Sequence, residues 1–150
     1  MTTQSIVTRI VPDRAVVYLY WATTTLVVAE LVVGGWWDVA RVPRARDIVV
    51  NLGYPTYFLV ILGVWKLLGA LALVVPRFPL VKEWAYAGTF FVYTGAIASH
   101  LTTGYARYEV PILTVMALLT AASWALRPDD RQTLRSPSGP DTSRNHVGAR

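Results

Sequence analysis

Apolar residues are concentrated in four blocks along the chain, and polar residues separate the blocks. The blocks cover residues 15–34, 57–75, 84–101 and 110–126. Each holds roughly 17–20 residues, enough for a helix rising 1.5 Å per residue to cross a ~30 Å hydrocarbon layer. The pattern therefore predicts four transmembrane helices, and we expect them to pack as an all-α, integral membrane four-helix bundle.

The connections between the blocks differ in length. Pro76 and Pro79 bracket a short turn between the second and third blocks, which predicts that those two helices are antiparallel neighbours. The connection after the first block is longer and covers residues 38–55. Within it, we expect an interfacial helix at about residues 45–50.

The chain ends in a polar segment. Residues 128–150 are rich in Pro, Ser, Asp and Arg. A segment of this composition buries too little apolar surface to order itself, so we expect a disordered cytoplasmic tail. The membrane domain is then predicted to cover residues 15–127, after a cytoplasmic N-terminus of residues 1–14.

Composition supports a membrane protein and excludes several kinds of site. Hydrophobic residues make up 54% of the chain and charged residues 15%, against roughly 45–50% and ~25% in soluble proteins. The chain has no cysteine, which excludes disulfides, thiolate metal sites and Cys-ligated iron–sulfur clusters within it. No pattern suggests a metal site or nucleic-acid binding, and the expected partner is the lipid bilayer.

The distribution of basic residues predicts the orientation. Of the Lys and Arg residues outside the blocks, nine lie on the side of the termini and four on the other side. Because cytoplasmic segments carry the excess of these residues, both termini are expected in the cytoplasm. We therefore expect a multi-pass protein of the cell membrane, with the bacterial inner membrane as its setting.

A single lysine interrupts the second block. Lys66 lies near the middle of the predicted helix, where a cation costs about 2.5–3.5 kcal/mol on insertion scales and indicates a functional site. Gly63, Gly69 and Ala70 share its helix face and permit close packing of a neighbouring helix. We therefore expect Lys66 to face the bundle interior. Glu30 is the only acidic residue inside the four blocks, so it is the predicted partner of Lys66.

Polar and small side chains also recur along one face of the third block. They follow one another at spacings of three or four, which places them on one side of a helix that should face the bundle interior. With the embedded ion pair, they predict a polar cavity suited to an amphipathic ligand such as a quinone, an isoprenoid or a sterol-like lipid. The stripe comprises Glu83, Tyr86, Thr89, Tyr93, Ala96, His100 and Thr103. The candidate ligand-binding residues are Glu30, Lys66, Tyr86, Tyr93 and His100.

Simpler interpretations of the same residues stay open. Lys66 and Glu30 can form a buried ion pair that fixes the helix register without any chemistry. His100 can bond a backbone carbonyl at the end of its helix. The tyrosines can serve interhelical hydrogen bonding alone.

Several short runs in the middle of the chain form a recognisable series. They are LGYPTYFL (residues 52–59), LGVWKLLGA (62–70), PRFP (76–79), KEWAYAG (82–88), TGA (94–96) and SH (99–100). The series resembles the DoxX-like family of small membrane proteins, and the resemblance extends over about residues 16–126. It implies a compact bundle of four helices, and relatives connected with quinol oxidase, thiosulfate:quinone oxidoreductase and oxidative-stress systems.

One position departs from the family pattern. Many members carry an aspartate where this chain has Val92, at about the depth of Lys66. The departure leaves Glu30 as the expected acid for Lys66. It also means that the resemblance does not carry over an activity that needs a carboxylate on the third predicted helix.

Three function hypotheses follow. In the first, the protein is an accessory subunit of a membrane oxidoreductase or stress-response system, and Lys66, Tyr93 and His100 bond the carbonyls of a quinone. The chain has no cysteine and no nucleotide-binding motif, so we expect neither a resident cofactor nor a self-contained activity. In the second, the bundle is a lipid-binding or chaperone-like module. In the third, Glu30 and His100 exchange protons with a lipid substrate as an isomerase. Small-multidrug-type transport also uses four helices and an embedded glutamate, but the resemblance argues against it.

Overall fold

The computed structural model describes residues 13–76 and 78–127, and over these residues the protein is all-helical, without a strand. The described elements are α1 (Asp13–Val39), α2 (Pro43–Asn51), α3 (Tyr57–Val74), α4 (Pro79–Thr103) and α5 (Val110–Ala125), with a 3-10 turn at Arg107–Glu109 before α5. The expected tail, residues 128–150, lies outside the described residues, as do residues 1–12 of the expected N-terminal segment.

The first helix is longer than the hydrophobic pattern predicted. α1 continues to Val39 rather than ending near residue 34. Gly34 and Gly35 remain helical, and the chain reverses only at Arg41, whose backbone adopts a left-handed conformation with φ of 52°. Asp38 therefore belongs to α1 and not to the outer loop. The helix expected within that loop is present as α2.

α1 and α3 approach each other closely at two glycines. A Cβ atom added at Gly63 would lie 2.6 Å from the carbonyl oxygen of Gly35 and 2.8 Å from the backbone nitrogen of Val39. Distances this short show that the two backbones touch at this crossing, which residues with side chains would prevent. The contact turns the face of α3 that carries Lys66 toward α1, as the sequence predicted.

Three of the helical segments have the length and composition of a membrane span, namely Arg14–Val39, Tyr57–Val74 and Arg107–Ala125. The prediction of an all-α membrane protein with several spans is therefore confirmed. α4 contains 25 residues and is about 37 Å long at 1.5 Å per residue. Its polar stripe lowers its hydropathy below that of the other long helices, so the described residues contain three such spans rather than the four predicted.

Polar contacts join the helices at the end of the bundle opposite α2. The buried Lys82 of α4 donates a hydrogen bond to the carbonyl oxygen of Leu73 in the last turn of α3. The negative end of the α3 helix dipole also stabilises a cation at this position. Glu83 accepts hydrogen bonds from Arg127 and, at 2.7 Å, from Trp124 Nε1. The first turns of α4 are thereby held against the ends of α3 and α5.

Candidate functional site

A cavity of about 760 Å³ lies beside α2, between the other helices. Ligand sites for small molecules commonly have volumes of about 300–1,000 Å³. Most lining side chains are apolar, and the charged ones come from α1, α2, α3 and the turn before α5. The lining residues are Glu30, Val33, Gly34, Trp37, Asp38, Arg44, Ala45, Ile48, Val49, Leu52, Tyr54, Phe58, Leu62, Lys66, Gly88, Phe91, Val92, Tyr93, Gly95, Ala96, Ser99, His100, Glu109, Ile112, Leu113 and Met116.

The charged end of the cavity is built around Lys66. Its ammonium lies 3.2 Å from Asp38 Oδ2 and 3.5 Å from Glu30 Oε1. The Lys66 side chain is only 13% exposed. The predicted pairing with Glu30 is therefore confirmed, but the expectation that Glu30 is the main partner is wrong, because Asp38 is closer. We refer to Glu30, Lys66 and Asp38 as the acid–lysine cluster.

Gly34 lies between the two acids of this cluster. An interval of four residues on α1 separates Glu30 from Gly34, and Gly34 from Asp38. The three residues therefore share one face of the helix. A Cβ atom at Gly34 would lie 2.7 Å from Glu30 Oε1 and 3.2 Å from Lys66 Nζ. The missing side chain leaves the space in which the ammonium meets both carboxylates.

Tyr93 connects α4 to the same cluster. Its side chain is almost fully buried, with 1% exposure. Its hydroxyl donates a hydrogen bond to Glu30 Oε2. The hydroxyl proton is thus already engaged by the carboxylate, which differs from the expectation that Tyr93 donates to a ligand carbonyl.

His100 lies in the cavity wall nearer the end of α4. It is 3% exposed, and its Nδ1 is 2.8 Å from the carbonyl oxygen of Tyr105. Because a carbonyl oxygen only accepts hydrogen bonds, Nδ1 carries the proton in this contact. His100 therefore lines the cavity as predicted, and it also makes the carbonyl contact of the simpler interpretation.

Tyr86 lies in a different place from the cavity to which the sequence assigned it. Its hydroxyl is 2.9 Å from Ser123 Oγ, and that oxygen is 2.6 Å from Thr24 Oγ1. The guanidinium of Arg127 lies over its ring, 5.6 Å from the centroid. Tyr86 and Tyr93 share one face of α4, but seven residues separate them by about 10 Å along the helix. The shared face was predicted correctly, and the shared cavity was not.

Two polar contacts hold α2 over the rim of the cavity. Arg44 Nη2 lies 2.7 Å from Glu109 Oε1. Beyond the other end of α2, the Tyr54 hydroxyl lies 2.8 Å from Ser99 Oγ. The hydrogen bond and the negative charge of Glu109 raise the pKa of the Arg44 guanidinium above its ordinary value.

The sequence model of the DoxX-like family matches residues 22–124. The chain belongs to the DoxX-like family. The match covers every residue of the cavity lining, from Glu30 on α1 to Met116 on α5. The chain matches no curated protein and no solved structure.

The position at which we expected this chain to differ from many family members lies in the cavity wall. Val92 lines the cavity on α4, and no carboxylate is present at this point. Asp38, which sequence reasoning missed, supplies the second acid from α1 instead. The available signal was its spacing of eight residues from Glu30 with Gly34 midway, which places all three on one helix face.

Proposed function

We propose that this DoxX-like membrane protein binds a lipid-phase quinone in the cavity beside α2 and serves as an accessory subunit of a membrane oxidoreductase. One observation carries the proposal. A mostly apolar cavity of about 760 Å³ has a charged end formed by the acid–lysine cluster. A quinone has the matching character, with a polar ring and an isoprenoid chain.

Depth within the membrane supports the proposal. Lys66 occupies the middle of the 18-residue α3, so the charged end lies about halfway across a hydrocarbon layer. A polar ring entering from the lipid phase would meet the charged groups of the acid–lysine cluster at this end. The chain of the quinone would lie along apolar lining residues such as Leu62 and Ile112.

The partner follows from the chemistry that a quinone requires. Reduction or oxidation of a quinone needs an electron carrier, and this chain has no cysteine with which to hold an iron–sulfur cluster. The proposed role is therefore to hold the quinone beside an oxidoreductase subunit that supplies or removes the electrons. The setting is the cell membrane.

The proposed topology has α4 as a fourth span and both termini in the cytoplasm. α4 packs against both α3 and α5, and each neighbour is long and apolar enough to cross the membrane. Polar residues of α4 are buried in the bundle, among them Thr89 and Tyr93. A helix that hides its polar face in this way can cross the bilayer despite its lower hydropathy.

Equilibrium binding of a short-chain quinone to the protein in lipid nanodiscs tests the proposal. Ala96 lines the cavity, whereas Ala98, on the same helix, is exposed on the outer side. We expect saturable binding by the native chain and by Ala98→Trp, and loss of binding in Ala96→Trp because the indole fills the cavity. Absence of saturable binding of both the quinone and its reduced form, or equal binding by both variants, would overturn the proposal.

A further inference from the structure

The charged end of the cavity has an excess of hydrogen-bond acceptors over donors. From this excess we infer that the site selects the reduced form of its ligand, a hydroquinone with two hydroxyl groups, over the oxidised quinone. The inference rests on the proposed function and names the form of the ligand that the site holds.

The donors at this end already lie beside carboxylates. The ammonium of Lys66 is 3.2 Å from Asp38 Oδ2 and 3.5 Å from Glu30 Oε1. The only proton of the Tyr93 hydroxyl is donated to Glu30. A quinone carbonyl can only accept hydrogen bonds, so it would have to compete with a carboxylate for each of these donors.

The acceptors are not saturated. Asp38 Oδ2 is buried and touches Lys66 as an ion pair, but makes no hydrogen bond of good geometry among the described residues. Asp38 lines the cavity. An ionised carboxylate offers about four acceptor positions, so the two acids together can accept more protons than Lys66 and Tyr93 provide. A hydroxyl group of a ligand would complete the coordination of Asp38.

His100 adds an acceptor elsewhere in the same wall. Its Nδ1 is engaged with the carbonyl oxygen of Tyr105 and must carry the proton there. In the neutral imidazole, Nε2 is then an acceptor. The cavity thus offers acceptors at two places, Asp38 and His100, and the two hydroxyl groups of a hydroquinone are donors that match both.

The charges at the rim leave this balance unchanged. Arg44 and Glu109 also line the cavity, but they are paired with each other at 2.7 Å. The net charge of the acid–lysine cluster is one unit negative when both acids are ionised. Hydroxyl groups that donate to such a cluster form charge-assisted hydrogen bonds, which are about twice as strong as neutral ones.

The test is a comparison of dissociation constants for decylubiquinol and decylubiquinone, measured anaerobically on the full chain in lipid nanodiscs. We expect the quinol to bind about tenfold more tightly or better, the factor that one hydrogen bond to a charged acceptor contributes. Equal binding, or tighter binding of the quinone, overturns the inference but leaves the proposed function standing. Binding of neither form overturns the proposed function, and the inference fails with it.

Substitutions at Asp38 and Tyr93 test which side chains cause the preference for the quinol. Asp38→Asn replaces an acceptor by an amide that also donates, and should bring the two dissociation constants close to each other. Asp47→Asn is the matched control, because Asp47 is exposed on α2 and does not line the cavity. Tyr93→Phe frees an oxygen of Glu30, so the quinol should bind as tightly as before or more tightly, and quinone binding should not change. If Tyr93→Phe instead weakens quinone binding selectively, Tyr93 donates to the ligand and the inference is wrong.

Discussion

The ammonium of Lys66 lies 3.2 Å from Asp38 and 3.5 Å from Glu30, so one cation on α3 joins two acids that are two helical turns apart on α1. This relationship connects the fold with the candidate site. It holds α1 against α3 at the depth where the cavity has its charged end.

Loss of Lys66 should destabilise the protein more than loss of either acid. Lys66→Met leaves two carboxylates without a cation, and breaking a buried ion pair costs about 3–5 kcal/mol. Asp38→Asn should cost less, because Lys66 keeps Glu30. Chemical unfolding in detergent micelles measures both effects. The triple variant with Glu30→Gln, Asp38→Asn and Lys66→Met should recover much of the loss, and a Lys66→Met protein as stable as the native one would contradict this assignment.

The crossing of α1 and α3 should not tolerate a methyl group. In Gly63→Ala the new Cβ would meet the carbonyl oxygen of Gly35 at 2.6 Å, so the helices must separate. We expect a loss of about 1–3 kcal/mol or more, as in other overpacked cores. Gly95→Ala is the control, since nothing lies within 4 Å of its Cβ position, and alanine is the better helix former. Equal stability of the two variants in thermal unfolding would show that the helices do not touch here.

The inner face of α4 could be predicted because side-chain direction in a helix repeats every three to four residues. Tyr86, Tyr93 and His100 are all buried, as the stripe indicated. Periodicity gives the direction of a side chain but not its partner or its depth in a cavity. For this reason the sequence assigned Tyr86 to the wrong cluster.

The end of α1 could not be predicted for a related reason. Gly34 and Gly35 resemble a helix terminus when the sequence is considered alone. In the structure they remain helical because α3 packs directly on them and places Lys66 beside Glu30 and Asp38, which flank them on α1. Only this tertiary contact shows that Asp38 continues the helix and belongs to the site.

Removal of the rim contacts should loosen α2 without unfolding the bundle. Arg44→Ala removes the contact of α2 with Glu109, and Tyr54→Phe removes the contact with Ser99 made just beyond the end of α2. Exposed ion pairs contribute about 0–1 kcal/mol, so global stability should change little. Hydrogen exchange of the amides in residues 43–51 should become faster. Arg46→Ala is the control, because the described residues show no ion pair to Arg46. Unchanged exchange in the Arg44 and Tyr54 variants would mean that these contacts do not hold α2.

The proposed topology has a direct test. Reporters inserted beside Arg44 and fused after Arg127 should lie on opposite sides of the membrane, with the second in the cytoplasm. The reason is that Arg44 follows the first proposed crossing, by α1, and three further crossings, by α3, α4 and α5, return the chain to the side on which it began. Reporters on the same side would exclude α4 as a span.

Photo-crosslinking of a short-chain quinone that carries a diazirine tests whether the cavity beside α2 is the binding site. In lipid nanodiscs, we expect the label at cavity-lining residues such as Val92 and Met116. We also expect an excess of unmodified quinone to prevent this labelling, as should Ala96→Trp. The cavity is not the binding site if the label is confined to outward-facing residues such as Trp65, which is 67% exposed, and is not reduced by an excess of quinone.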